Sequence, residues 1–319
     1  MNAPASYLDF YLGPLAAYLA RPEVTDIYIN KPCEVWIESL GGEIERYEEP
    51  SLDEPHLWRL AQQIASHAHQ GISRKHPLLS ASLADGSRVQ VVAAPATRAG
   101  VAIAIRRHAA QKPSLQSYAE TGATSERVSN GRGELEALIE ARDYPAFLAL
   151  AVRQRLNIVI SGGTSSGKTT LLNALIDEIP SHERLVLIED TPELRLSQPN
   201  SVGLVAVRDA QGEAQVTAED LLQASLRMRP DRIILGELRG PEAFTFLRAI
   251  NTGHPGSLTT VHADDPERAI VQLAMMTIQA RHGLSFSDAT VLVERMVDAV
   301  VQVKRDRERR TISRIRFCP

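Results

Sequence analysis

The spacing of apolar and polar residues changes character near the middle of the chain. Up to about residue 110, short apolar runs are separated by Asp-Gly and Ala-Gly turn signals, which predicts a β-meander with strands at 78–83, 88–93 and 101–106. From Glu134 onward, apolar runs alternate with stretches of helical spacing, which predicts parallel strands joined by helical crossovers. The pattern therefore indicates two regions of different architecture.

The first region also contains segments of helical spacing. Apolar residues recur at helical intervals over 6–20, and we expect a second helix near 56–69. Short strands are expected at 27–29 and 35–37. These elements predict a smaller α+β domain at residues 1–110. The stretch 111–133 is poor in apolar residues and rich in Ser, Thr, Gly and Pro, which is typical of a flexible interdomain linker.

The second region has the pattern of an α/β domain. Most of its apolar runs are continuous rather than alternating, as in strands that helices cover on both faces. The expected strands are 157–161, 185–189, 232–235, 256–261 and 298–303. Residues 134–319 are therefore predicted to form an α/β domain with a mostly parallel sheet.

Composition narrows the possible classes of protein. The 319 residues are 44% hydrophobic and 23% charged, which is typical of a soluble globular protein and long enough for two domains. A net charge of −4 without a long basic run predicts no direct sequence-specific binding of nucleic acid. The charge-dense segment 304–310 mixes both signs and is interpreted as a solvated hairpin tip. No run approaches the roughly 18 apolar residues of a membrane span, and no export signal is visible, so we expect a cytoplasmic protein.

One segment carries a specific chemical signature. Residues 162–169 have the sequence GGTSSGKT, which fits GxxxxGK[ST], and they lie between a predicted strand and a predicted helix at 170–179. In such a loop the glycines let backbone N–H groups approach phosphates, the lysine reaches the β- and γ-phosphates, and the final hydroxyl binds Mg²⁺. The sequence therefore predicts a site for ATP and Mg²⁺. The expected nucleotide-binding residues here are Gly162, Gly163, Thr164, Ser165, Ser166, Gly167, Lys168, Thr169 and Thr170.

Three further polar clusters follow predicted strands, at the same edge of the sheet as the phosphate loop. Glu189 and Glu193 lie in an acidic cluster that could reach Mg²⁺ or its waters, although such acids also serve as helix caps or solvated loop residues. Glu237 follows Gly236, where an ordinary Walker B strand would carry an aspartate, and a carboxylate there can orient the attacking water. His262 follows the next strand, where it could sense the γ-phosphate or be a structural residue.

Taken in this order, the four clusters resemble the type II and type IV secretion ATPases, a family that shares a Walker A loop, an acidic box, a Gly-Glu Walker B and a histidine box. The resemblance implies a RecA-like P-loop motor domain preceded by a smaller α+β domain, and Mg²⁺-dependent hydrolysis of ATP to ADP and phosphate. The implied catalytic residues are Glu237, Glu189, Glu193 and His262, and Glu237 is the expected base or water-positioning residue. Metal binding is expected to depend on Thr169, Glu189 and water.

The resemblance also extends to arginines. Arg227 and Arg229 are expected to contact phosphate or a neighbouring subunit. In this family, arginines of the N-terminal domain reach the nucleotide, and Arg88 with Arg106 or Arg107 occupy similar places in this sequence. The alternative for these residues is exposed charge at the ends of strands.

Two absences favour one branch of the family. Type II secretion and pilus-assembly motors usually carry a four-cysteine metal insertion and a longer N-terminal region, and this sequence has neither. The resemblance therefore implies the ATPase of a type IV secretion or conjugation system. Such a motor is a homo-hexameric ring at the inner face of the bacterial inner membrane, with other secretion-machine components as partners and protein or DNA as cargo. A pilus-retraction motor and a nucleotide-gated ring scaffold with little turnover remain alternatives, and a DNA motor is less favoured because only 5% of residues are aromatic.

Overall fold

Two β-sheets form the framework of the computed structural model, which describes residues 6–107, 132–207, 213–280, 283–306 and 309–318. The first sheet comes from the first third of the chain and has six strands, and the second comes from the remainder and has seven. This division follows the change of pattern that the sequence shows near its middle.

The six-stranded sheet is antiparallel throughout. Its strands are β1 (Val24–Ile29), β2 (Glu34–Ser39), β3 (Ile44–Glu48), β4 (Leu78–Ser82), β5 (Arg88–Ala93) and β6 (Val101–Arg106). They are arranged in the order β3-β2-β1-β6-β5-β4, and every neighbouring pair is antiparallel. The predicted meander is therefore present as β4, β5 and β6, whereas β3 was not predicted.

Three helices accompany this sheet, namely α1 (Tyr7–Leu12), α2 (Ala16–Leu19) and α3 (Glu54–His67). A 3-10 turn at Gly13–Leu15 separates α1 from α2, so the single helix predicted over 6–20 is interrupted. The interruption has a local cause, because Pro14 lacks the N–H that a continuous α-helix would use. The longer α3 begins after Asp53, whose carboxylate accepts the backbone N–H of His56 at 2.8 Å and caps the helix.

The seven-stranded sheet confirms the expected α/β architecture. Its strands are β7 (Ile158–Ser161), β8 (Leu185–Glu189), β9 (Ser201–Val205), β10 (Arg232–Leu235), β11 (Leu258–Val261), β12 (Ala299–Asp306) and β13 (Arg309–Phe317). The order is β13-β12-β7-β11-β10-β8-β9, and all neighbours are parallel except β12 and β13. The helices are α4 (Arg132–Glu140), α5 (Tyr144–Arg153), α6 (Lys168–Asp177), α7 (Ala218–Ser225), α8 (Glu242–Asn251), α9 (Pro266–Ala280) and α10 (Phe286–Met296).

The two sheets are joined by a shared core and by backbone hydrogen bonds. Buried residues of both sheets that belong to this core include Tyr28, Val92, Ala104, Val202 and Leu204. In addition, the β5–β6 connection lies along β9. The N–H of Val205 donates to the carbonyl of Ala96 at 2.9 Å, and the N–H of Arg98 donates to the carbonyl of Gly203 at 3.0 Å. The β5–β6 connection is therefore fixed close to the carboxyl end of the parallel sheet.

The predicted domain boundaries at residues 110 and 133 stay a prediction. Most of the expected linker, residues 111–131, lies outside the described residues, and Arg132 already begins α4. Within the ranges that the structure describes, no helix is both long enough and apolar enough to cross a bilayer.

Candidate active site

The phosphate loop connects the end of β7 to the start of α6. Gly162 passes close to other parts of the chain, since an added Cβ would lie 2.5 Å from Ser166 Oγ and 2.6 Å from the carbonyl oxygen of Val303. Gly167 has φ +100°, a left-handed conformation that glycine adopts without strain. By contrast, an added Cβ at Gly163 would meet no atom within 4 Å. The loop is thus packed tightly on its inner side and open at Gly163.

Lys168 folds back over the loop that it follows. Its Nζ donates to the carbonyls of Gly162 at 3.0 Å and Gly163 at 3.1 Å, and it lies 3.3 Å from Nδ1 of His262. Burial lowers the pKa of the Lys168 ammonium, while the charge of Glu237 acts in the opposite direction. Phosphate oxygens would be stronger partners for this charge than neutral carbonyls. The lysine is therefore placed to exchange the loop carbonyls for a phosphate.

His262 connects Lys168 to Glu237. Because Lys168 donates to Nδ1, the hydrogen-bond network assigns the imidazole proton to Nε2. Nε2 lies 2.5 Å from Oε1 of Glu237. Glu237 and His262 follow the ends of β10 and β11, and Lys168 begins α6 after the loop that follows β7. The carboxyl ends of these parallel strands meet at one edge of the sheet. The structure therefore brings the predicted lysine, glutamate and histidine together in one chain of contacts.

Glu237 has a second partner that the sequence did not predict. Arg239 Nε lies 2.5 Å from Oε2 of Glu237, and Arg239 Nη1 lies 3.1 Å from Oδ2 of Asp190. The Arg239 side chain is 53% exposed, so its position depends on contacts at the surface of the cleft rather than on packing. Both oxygens of Glu237 are engaged in this arrangement.

Glu189 is the buried member of the acidic cluster. Its Oε1 accepts the backbone N–H groups of Glu193 at 2.9 Å and Leu194 at 2.7 Å, and its Oε2 pairs with the guanidinium of Arg98. The pair joins the β5–β6 connection to the end of β8. Because both carboxylate oxygens of Glu189 already have partners, the structure does not support its expected role as a metal ligand. Thr169 is the other residue that the sequence predicts as a metal ligand. The carboxylate of Glu193 is exposed at the cleft.

A cleft of about 280 Å³ lies between these groups. Predicted site residues that line it are Thr164, Ser165, Lys168, Thr169, Glu189, Glu193, Glu237 and His262. The lysine, the open face of the loop and the start of α6 fit the chemistry of a phosphate group. In the part of the chain that the structure describes, no cluster of three or more acidic, histidine or cysteine side chains could hold a metal by itself. A Mg²⁺ ion would therefore rely on Thr169 together with phosphate oxygens and water.

The structure separates the N-terminal arginines from this cleft. Arg88 and Arg106 line another cavity, of about 630 Å³, together with Arg227. Arg88 and Arg106 lie directly opposite each other on β5 and β6, so they point to the same face of the antiparallel sheet. They do not join the phosphate loop of their own chain, which differs from the expectation. Arg107 instead donates to the backbone carbonyls of Arg21 and Val24.

Arg229 is also remote from the phosphate loop. It precedes β10 and pairs with Glu38 at 2.7 Å and with Asp231 at 3.0 Å. The amino end of a parallel strand lies at the sheet edge opposite to the carboxyl ends, where the phosphate loop is found. The expectation that Arg229 binds phosphate within its own chain is therefore not met.

Three arginines near the phosphate loop or its acidic neighbours were missed by the sequence analysis. Arg98 reaches Glu189 from the first sheet, Arg239 reaches Glu237, and Arg310 donates from Nη1 to Oγ1 of Thr170 at 3.0 Å. Arg239 had a detectable signal, because it follows the Gly-Glu pair by two residues. For Arg98 and Arg310, only the packing of distant segments reveals the contact.

The chain is similar to several known proteins over almost its whole length. A family model described as type II/IV secretion system protein matches residues 12–318. The chain is 38% identical over 328 aligned positions to the type IV secretion system protein VirB11 of Bartonella quintana, covering 97% of the chain and 92% of that protein. It is 41% identical over 311 positions to VirB11 of Brucella suis, covering 94% and 86%. The crystal structure of the Brucella suis VirB11 ATPase in complex with sulphate is similar with a TM-score of 0.90 and 38% identity, covering 98% of this chain and 95% of that one.

Proposed function

Because the chain belongs to the type II/IV secretion system protein family, we propose that it is the ATP-hydrolysing motor of a type IV secretion system. Relatives that it matches over almost their whole length bear the name type IV secretion system protein, which supports this branch over a pilus-retraction motor. The observation that carries the proposal is the contact chain from Lys168 through His262 to Glu237 within one cleft.

Binding of ATP depends on the loop and on the first turn of α6. Their backbone N–H groups and the positive end of the helix dipole hold the phosphates, and Lys168 exchanges the carbonyls of Gly162 and Gly163 for phosphate oxygens. Thr169 would hold Mg²⁺ through its hydroxyl, and the ion would supply positive charge to the phosphates. The lysine and the loop thereby place the γ-phosphate next to Glu237 and His262.

Glu237 orients the attacking water. One of its oxygens must first be released, and Arg239 is the partner that can move because its side chain is mostly exposed. Oε2 then accepts a hydrogen bond from the water and takes up its proton. The water oxygen bonds to the γ-phosphorus, and the bond from that phosphorus to the oxygen that leaves with ADP breaks. His262 lies against Oε1 through its Nε2 atom and is close enough to Lys168 to respond to the γ-phosphate.

We further propose that the motor acts as a homo-hexamer on the inner face of the cytoplasmic membrane, with other components of the secretion machine as partners and a protein or DNA as cargo. The family resemblance supports this assembly. Arg88, Arg106 and Arg227, which do not reach the phosphate loop of their own chain, are then available for contacts with a neighbouring subunit. Arg229 would have to leave Glu38 and Asp231 to make such a contact.

Steady-state phosphate release with Mg·ATP tests the catalytic assignment. We expect Lys168→Ala to abolish ATP binding and Glu237→Gln to bind ATP but lose roughly 10²–10³-fold in turnover. Glu193→Gln is the matched control, since its carboxylate lies at the same cleft but is exposed. If Glu237→Gln keeps full turnover and Glu193→Gln loses it, the catalytic base lies in the acidic cluster instead. Full turnover in both would point to another base, whereas an unchanged protein that binds ATP but releases almost no phosphate would favour a scaffold. Light scattering on the same samples measures the number of subunits.

A further inference from the structure

The hairpin of β12 and β13 leaves the sheet directly beside the phosphate loop. β12 is the parallel neighbour of β7, with Gln302 opposite Ser161 and hydrogen-bonded to its hydroxyl. One residue later, the carbonyl of Val303 approaches Gly162 so closely that a Cβ there would lie 2.6 Å away. The part of the hairpin beyond Val303 therefore extends past the edge of the sheet, next to the loop.

Arg310, near the start of β13, lies against the first turn of α6. An added Cβ at Gly167 would be 2.7 Å from Arg310 Cδ and 3.3 Å from its Nε. At the other end of the side chain, Nη1 donates to Oγ1 of Thr170 at 3.0 Å. The guanidinium thus spans the helix start, which is possible because Gly167 has no side chain.

The polar partner that the structure shows for the Arg310 guanidinium is uncharged. Among the residues that the structure describes, no carboxylate forms an ion pair with it, and its hydrogen-bond partner is the neutral hydroxyl of Thr170. The start of a helix that follows a glycine-rich loop attracts anions through its free N–H groups and its dipole. A guanidinium at the same place adds a charge and a planar pair of donors that match phosphate oxygens.

We propose that Arg310 binds the α-phosphate of the nucleotide, an inference that rests on the proposed function. The direction of the nucleotide follows from Lys168, which points toward His262 and Glu237 and so marks the γ-phosphate end. Arg310 lies on the Thr170 side of the loop, at the other end of the phosphate chain. On binding, its guanidinium exchanges the Thr170 hydroxyl for an α-phosphate oxygen. Because ADP and ATP both carry this group, Arg310 contributes equally to the affinity for both and does not take part in hydrolysis.

Arg309 provides a matched control within the same hairpin. Successive side chains of a strand point to opposite faces, so Arg309 and Arg310 carry the same charge at neighbouring positions but face different surroundings. In the strand pairing, Arg309 lies opposite Asp306, whereas Arg310 lies opposite Arg305. A general loss of positive charge would affect both variants alike, whereas a specific contact would affect Arg310 alone.

Titration with a fluorescent ADP analogue, followed by displacement with ADP, ATP or inorganic tripolyphosphate, tests the assignment. We expect R310Q to lower the affinity for ADP, ATP and tripolyphosphate by about tenfold each, as for the loss of one charge-assisted hydrogen bond. R310K should recover part of the loss, and R309Q should remain within about twofold of the unchanged protein, as expected for a surface charge.

Three results would overturn the proposal. Equal affinities of R310Q and R309Q would show that Arg310 makes no specific contact. If R310Q binds ADP and ATP more weakly but binds tripolyphosphate as tightly as the unchanged protein does, Arg310 contacts the base or ribose instead of the α-phosphate. If the unchanged protein binds no nucleotide, the proposed function fails and this inference fails with it. If the unchanged protein binds nucleotide and Lys168→Ala abolishes that binding, the proposed function stands, and the Arg310 variants then test the assignment of Arg310 by itself.

Discussion

Replacement of Gly162 by alanine should damage the phosphate loop before any nucleotide binds. The added methyl group would lie 2.5 Å from Ser166 Oγ and 2.6 Å from the carbonyl oxygen of Val303. Ser166 can rotate its hydroxyl away, but the Val303 carbonyl belongs to the backbone of β12, which is paired on both sides. Either the loop or the strand must therefore shift by several tenths of an ångström.

We expect this shift to lower the free energy of unfolding by about 2 kcal/mol, within the range measured for overpacked cores. Gly163→Ala is the matched control, because no atom lies within 4 Å of its added Cβ and its φ is not positive. Its effect on stability should stay within about 0.5 kcal/mol, as for a substitution without steric conflict. The two variants add the same atom to adjacent glycines of the same loop, so they differ only in surroundings.

Thermal unfolding of the nucleotide-free protein measures both effects. For a chain of 319 residues, 2 kcal/mol corresponds to a decrease in Tm of roughly 3 °C. Gly162→Ala should also weaken ATP binding, because the phosphate loop can no longer pack against the carbonyl of Val303 in β12. An equal Tm for the two variants, or a lower Tm for Gly163→Ala, would refute the argument that close approach to Val303 is what requires glycine at position 162.

Two further predictions concern buried charges. Arg98→Gln should lower the free energy of unfolding by about 3 kcal/mol, because it leaves the carboxylate of Glu189 buried without its cation. Arg98→Lys should restore part of this loss. Urea unfolding of the unchanged protein and the two variants measures the effect, and equal stabilities would contradict the prediction. Burial lowers the pKa of His254 below its ordinary 6.5, while Nδ1 donates to the carbonyl of Pro230. As the pH falls through 6.5, the unfolded chain takes up this proton before the native protein does, so stability is lost. His254→Asn should therefore gain in Tm relative to the unchanged protein between pH 7.5 and 5.5, and a constant difference would contradict the argument.

The secondary structure was predictable wherever the apolar pattern was long or bounded by clear turn signals. The meander of β4, β5 and β6 and the strands that lead into the functional loops have such patterns. β9 was missed because Ser201 and Gly203 interrupt its apolar positions, and its strand character comes from pairing with β8 on one side. Gly203 is required there by a distant residue, since an added Cβ would lie 2.8 Å from Cδ of Arg98. Such a constraint is not visible in local sequence.

The candidate site was predictable as far as strand ends determine it. Lys168, Glu237 and His262 each follow a strand of the parallel sheet, so their common location follows from topology alone. Arg229 precedes β10 and therefore lies at the opposite edge of the sheet from the phosphate loop. Arg98 could not be found from local pattern, because it enters the site from the other sheet by a contact that only the folded chain defines.

The register of the sheet explains why Glu189 stands close to the position usually held by a Walker B aspartate. β8 and β10 are parallel neighbours with Ile188 opposite Leu235, so the next residues, Glu189 and Gly236, lie side by side. A Cβ at Gly236 would come within 3.3 Å of Glu189 Cγ, which means that the glutamate already occupies the space beside it. An aspartate in place of Gly236 would crowd Glu189 and add a second carboxylate beside the pair of Glu189 and Arg98. The Gly-Glu pair is therefore the sequence that this neighbouring strand permits, with one carboxylate contributed by β8 and the next by the residue after Gly236.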